Sequence, residues 1–168
     1  LTAISETLTA STPLIFAALG IAIGFRAGLF NIGAEGQIII GGLAATVTGF
    51  ILDLPLMLHL ICVLTAGAIF GAGYSLIAGW LKAVTGAHEV ITTIMLNLIA
   101  FRLLDYFLRI PFIQKEGRND PISKSILESA ELPRLLGFID PSLRIHFGFV
   151  LAIITVFFVY YIIFHTTI

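Results

Sequence analysis

The sequence predicts an all-α, polytopic membrane protein, and three observations carry that prediction. The first is composition: 58% of residues are hydrophobic, only 11% are charged, and mean hydropathy is +1.06. Soluble domains run at about 25% charged residues, and a water-soluble fold of this size has nowhere to hide so much apolar surface. The second is a set of five apolar runs, each near the ~20 helical residues needed to cross a ~30 Å hydrocarbon core. The third is residues 27–37, A-G-L-F-N-I-G-A-E-G-Q, between the first two runs. They hold three glycines, Asn31, Gln37 and the ionisable Glu35, with Arg26 just before. Lipid excludes irregular, polar backbone unless it is buried in protein or lines a wet cavity. Membrane proteins that place such a stretch between hydrophobic runs usually handle a solute or an ion there.

The first run, residues 7–25, is uncharged and carries Pro13 near its middle. The second, 37–52, is stopped by Asp53 and Pro55, and the third, 56–81, by Lys82. The fourth, 90–108, contains Arg102 and Asp105; the fifth covers 145–164. None has the wide polar face of a soluble amphipathic helix, and none alternates with the period of a strand. Gly67, Gly71, Ser75 and Gly79 recur every four residues in the third run, as do Gly41, Ala45 and Gly49 in the second. Such stripes let helix backbones approach closely, which predicts a packed multi-helix bundle. Residues 109–144 differ: they are mixed in charge, contain Pro111, Pro121, Pro133 and Pro141, and read as a long loop with a short helix near 123–131.

Residues 24–37 predict a broken helix that stops near Arg26, turns, and restarts near Gly36. A helix start exposes N–H groups that favour anionic or hydroxyl oxygens. On that reading Asn31, Glu35 and Gln37 line a solute pathway; on the alternative, Arg26 and Glu35 pair to fasten a turn. Arg102 and Asp105 are three apart on one helix face and are expected to pair. Asn97, in mid-run, needs a partner for its amide, either another helix or the pathway. His88 and Glu89 read as a helix start with an acid in its first turn. His59, His146 and His165 lie near run ends, where interfacial placement is expected. Cys62, the only cysteine, excludes an internal disulfide and reads as a small core hydrophobe. A net charge of −1 gives no case for nucleic acid. No catalytic triad, phosphate loop, metal-ligand cluster or cofactor motif is apparent, so no enzyme is expected. Neither is a signal peptide visible, and the abrupt ends at Leu1 and at H-T-T-I lead us to expect a segment of a longer protein.

Two motifs carry a resemblance: G-F-R-A-G-L-F-N-I-G-A-E-G-Q at 24–37, followed by I-I-I-G-G-L-A-A, and L-K-A-V-T-G-A-H-E-V-I-T-T-I-M-L-N at 81–97. The sequence resembles the permease subunit of bacterial nucleoside or simple-sugar ABC importers, in the group that includes branched-chain amino acid and ribose permeases. The resemblance runs from about Pro13 to Thr167. It implies a type II importer fold in the bacterial cell membrane. The implied partners are a second permease subunit, a cytosolic ATPase and an extracytoplasmic substrate-binding lipoprotein. It puts residues 27–37 at the pathway and matches Thr166 and Thr167 to the exit before a cytosolic coupling helix. The whole chain, 1–168, is then expected to be a partial permease domain, lacking an upstream helix and the downstream coupling helix.

Family order places 109–144 outside the cell and 82–89 inside. The loop's six Lys or Arg argue for the reverse by the positive-inside rule, but five acids offset them, and the family order is the expectation adopted. A secondary transporter coupling ions through Glu35 or Asp105, a permease for branched-chain amino acids, and a non-transport scaffold are the alternatives.

Overall fold

A computed structural model describes residues 1–135, 140 and 143–166. It contains five long helices: α1 (Thr2–Arg26), α2 (Ala34–Ile51), α3 (Leu56–Thr85), α4 (Glu89–Leu108) and α5 (Phe147–His165). All five are long and apolar enough to cross a membrane. Among the described residues there is no strand, only two isolated bridges. The all-α expectation therefore holds. The expected loop helix is a single 3-10 turn, Glu128–Ala130. Pro141 and Thr167 lie outside the described residues.

The chain divides into two compact units. One joins Leu1–Phe30 to the segment from Leu132 onward; the other is Asn31–Glu131.

In the first unit α1 packs on α5. Ser5 is buried, and its hydroxyl oxygen accepts from the N–H groups of Arg144 (2.8 Å) and Ile145 (3.0 Å). Arg144 also pairs with Glu6 at 3.5 Å. These contacts put the starts of α1 and α5 at the same end of the unit. His146 is the N-cap of α5: its Nδ1 accepts from Gly148 N–H at 3.1 Å. A Cβ at Gly148 would stand 2.7 Å from that nitrogen, so the cap requires glycine there. At the other end His165 stacks on Tyr161. The close of α1 follows from R-A-G-L. Gly28 takes φ +74°, Leu29 N–H reaches Gly24 C=O (2.9 Å), and Gly28 N–H reaches Phe25 C=O (3.1 Å). This is the paired-bond stop that a left-handed glycine after a helix allows.

The second unit is built on α2 against α3, with α4 alongside. The glycine stripe explains the closeness. A Cβ at Gly41 would lie 2.7 Å from the Gly67 carbonyl oxygen, and one at Gly71 would lie 3.2 Å from that of Gln37. The stripe is shorter than its sequence spacing, however. Gly79 is exposed and opens onto free space, and Gly49 meets Ile126 and Ala130 of the loop, not a helix.

The loop is ordered by its own chemistry. Gln114 bridges to Ser123, Gly117 turns at φ +76°, and Arg118 holds Asp120 at 2.8 Å. Hydrogen bonding by Arg118 lowers the Asp120 carboxyl below its ordinary range. Leu127 N–H then reaches Gly49 C=O (2.9 Å), and Phe50 meets Phe112 edge-on. His59, near the start of α3, completes the fastening. It is fully buried, with Nδ1 2.7 Å from Ser129 Oγ and Nε2 3.4 Å from the Thr48 carbonyl. A carbonyl only accepts, so Nε2 carries the proton and Nδ1 accepts from the serine hydroxyl. The turn between α3 and α4 closes on Gly86 at φ +68°, and an ion pair joins Lys82 to Glu89 across it.

Candidate solute-pathway site

The start of α2 is an interior site. Its N-cap is Gly33, which has no side chain to offer, so the cap comes from α4. Asn97 Oδ1 accepts from Gly36 N–H at 2.9 Å, and Asn97 Nδ2 donates to Ile32 C=O at 3.0 Å. Thr93 Oγ1 accepts from Ile32 N–H at 3.3 Å and donates to Glu89 C=O at 2.8 Å. Asn31 Oδ1 closes a local turn on Gly33 N–H at 2.7 Å. Tyr74 of α3 donates to Leu96 C=O at 2.7 Å and fixes α4 from its other neighbour.

Gly36 is glycine because the site is crowded. A Cβ there would lie 2.9 Å from Asn97 Oδ1, 3.2 Å from the Tyr74 ring and 3.3 Å from the Ala100 methyl. Glycine lets α2, α3 and α4 converge on one point.

That point is deep. Asn97 is eight residues into α4, a rise of ~12 Å from the helix start. Gly71, which backs Gln37, is at the middle of the thirty-residue α3. So α2 begins beside the middle stretches of α3 and α4, not at their ends. Irregular backbone at that depth must have its polar groups satisfied by protein or water, and here Asn31, Thr93 and Asn97 satisfy three N–H groups and one carbonyl. The expectation of open N–H donors is thus met only in part.

Glu35 is exposed, in the first turn of α2, where the helix dipole favours a carboxylate. Gln37, two residues further on, is partly buried. Arg26 ends α1 in the first unit, whereas Glu35 belongs to the second. Of the predicted residues, Asn31 and Asn97 meet around the break, joined by Thr93 and Tyr74, which sequence reasoning missed. Thr93 was detectable: it is four residues before Asn97 and so shares its helix face. Tyr74 gave no signal beyond a lone hydroxyl in an apolar run.

The expected Arg102–Asp105 pair is corrected. Asp105 takes a two-pronged bond from Arg109 (Nε 3.1 Å, Nη2 3.0 Å), and Arg102 acts on it only as a more distant positive charge. The four-residue spacing and the freedom of a helix-end guanidinium favour Arg109 over Arg102.

A groove of about 420 Å³ runs beside the site, lined by Ile38, Gly42 and Thr46 of α2, Leu104 and Leu108 of α4, and Ile122 of the loop. Its lining is apolar, which does not suit a polar solute.

The comparisons agree with this membrane architecture. The family model for the permease component of branched-chain amino acid transport systems matches residues 3–168. A guanosine ABC transporter permease of Bacillus subtilis is 36% identical over 160 residues, covering 95% of this chain and 45% of the relative. A glucose ABC transporter permease of Haloferax volcanii is 38% identical over 136 residues, 81% of this chain and 36% of its own. A nucleoside ABC transporter permease of Lactococcus lactis is 43% identical over 97 residues, 57% of this chain and 27% of its own. The chain thus spans less than half the length of these relatives. No solved structure matches it. With five helices long and apolar enough to cross a membrane and a family match over nearly every residue, the chain is a multi-pass membrane protein of the branched-chain amino acid transport permease family.

Proposed function

We propose that this chain forms part of the translocation pathway of an ATP-driven importer for nucleosides or related simple sugars. The observation that carries the reading is the start of α2 beside the middle stretches of α3 and α4, held by Asn97 and Thr93, with Glu35 exposed in its first turn. The relatives point to nucleosides and glucose as the substrate class. A carboxylate beside a helix start suits such solutes, because their hydroxyl and amino groups donate hydrogen bonds that Glu35 accepts. In this role the chain works in a bacterial cell membrane with a second permease subunit, a cytosolic ATPase and an extracytoplasmic substrate-binding lipoprotein.

The experiment is uptake by the intact transporter carrying Glu35→Gln. The amide keeps the size and removes the charge, so uptake is expected to fall while the amount in the membrane stays normal. Unchanged uptake at equal membrane level removes Glu35 from the pathway. A competition panel of nucleosides, hexoses and branched-chain amino acids identifies the substrate class, and inhibition by the amino acids alone would refute the nucleoside reading.

A further inference from the structure

The exposed face of α4 changes character along its length. Near the start it is apolar: Ile91, Met95 and Leu98 are 61%, 50% and 57% exposed. Further on it carries Arg102, Asp105 and Arg109, spaced three and four residues apart and therefore in one stripe. Asp105 and Arg109 are each about half exposed, and Arg102 is exposed as well. The opposite face, with Thr93, Asn97 and Ala100, is the one committed to α2 and α3. Arg102 lies thirteen residues past Glu89 and six before Leu108, which is ~20 Å from one helix end and ~9 Å from the other. Among the described residues no carboxylate stands within ion-pair distance of Arg102.

Charged side chains in membrane segments face a bundle interior or a water-filled cavity. A long arginine can reach from lipid to the interface, but the short carboxylate of Asp105 cannot. We propose that the Arg102–Asp105–Arg109 face of α4 lines a water-filled passage, with Arg102 as the free guanidinium presented to polar solutes. This rests on the transport reading above and adds a second contact to it. Asp105 and Arg109 neutralise each other, so the passage keeps one positive charge. A guanidinium donates and never accepts, so the solute atoms it selects are carbonyl, ring-nitrogen or hydroxyl acceptors. Glu35 accepts where Arg102 donates, so the two would recognise opposite hydrogen-bonding groups.

The test is cysteine accessibility in the intact transporter with Cys62→Ala. Arg102→Cys is compared with Phe157→Cys, whose parent side chain is 70% exposed on the wholly apolar α5. The thiolate is what attacks a membrane-impermeant, charged thiol reagent, and it does not form in hydrocarbon. Position 102 is expected to react on the order of tenfold faster or more than position 157. Cysteine has no long arm, so reaching for the interface cannot explain a fast reaction. Equal, slow reaction at both positions overturns the passage. Asp105→Cys reads the same face if Arg102→Cys does not reach the membrane. In a second arm Arg102→Gln is expected to lower uptake about tenfold or more, with Arg102→Lys retaining most of it; equal uptake in the glutamine variant overturns the donor role. Labelling requires neither import nor solute, so a transporter found to carry no nucleoside would still report whether this face is wet.

Discussion

Asn97 bonds two backbone groups at once, and its removal therefore costs more than one side chain. In Asn97→Ala the Gly36 N–H and the Ile32 carbonyl lose their partners at a depth where water is scarce. Each unsatisfied group costs ~1–3 kcal/mol, so the detergent-solubilised protein should melt several degrees lower. Asn97→Asp keeps an acceptor for Gly36 but turns a carboxylate oxygen toward the Ile32 carbonyl, and should also destabilise. Gly36→Ala reaches the same contact from the other side, since its methyl would push Asn97 Oδ1 away. The losses in a Gly36→Ala/Asn97→Ala double variant are therefore expected to sum to less than the two singles, as neighbours sharing one contact do. Full additivity in the melting data would mean that the amide is not the cap of α2. At this scale the sequence was only half legible. It marked Asn97 as an amide in need of a partner and 27–37 as a break, but left open whether the amide served helix or solute. Hydrogen-bond partners 61 and 65 residues apart are not written in local spacing.

Helices and their spacing were far more legible. Four of the five predicted runs match their helices to within a few residues at each end, because charge and proline punctuate them; α1 starts five residues earlier, at Thr2. What spacing could not say is where a stripe stops being an interface. Gly41, Gly67 and Gly71 meet backbone, and Gly79 meets nothing, although all lie on regular four-residue repeats. The difference arises because α2 begins beside the middle of α3, leaving the later turns of α3 without that partner. Gly41→Ala forces a methyl to within 2.7 Å of a carbonyl oxygen in the other helix. Backbone cannot rotate away as a side chain can, so the two helices must separate, at ~1–3 kcal/mol. Gly79→Ala should be neutral or slightly stabilising, since alanine is the better helix former. Thermal stability of the two variants in the same detergent is the check, and equal values would mean that α2 and α3 do not touch at Gly41. His59 makes a parallel case in the loop. His59→Phe keeps an aromatic ring but strands the Ser129 hydroxyl, while the Thr48 carbonyl keeps only its bond from Leu52 N–H. Faster protease cutting within residues 122–131 is expected, with α2 and α3 intact. Unchanged cutting would show that Leu127 and Ile126 hold the loop without the histidine.

Over the whole molecule, orientation is where two physical arguments conflict, and it bears directly on function. Chain order puts the turn around Gly86 at the opposite end of α3 and α4 from residues 109–131. The positive-inside count favours the loop on the cytosolic side, with six Lys or Arg between residues 109 and 144. The structure weakens that count: Arg109 is held by Asp105, Arg118 by Asp120 and Arg144 by Glu6, so at least three of the six are neutralised locally. The loop is also fastened down through Leu127, His59 and the Phe50–Phe112 contact, which suits a surface that a folded partner meets from outside. We therefore expect residues 109–131 outside and the Gly86 turn inside. Ser125 and Thr85 are exposed at the two ends and serve as reporters. In a Cys62→Ala background, Ser125→Cys should react with a membrane-impermeant thiol reagent in intact cells. Thr85→Cys should react only after the membrane is opened. Reverse labelling would put the loop fastened by His59 in the cytosol and the Lys82–Glu89 turn outside. By chain order it would also put the end of α5 outside, where the coupling helix expected past Thr167 could not meet an ATPase.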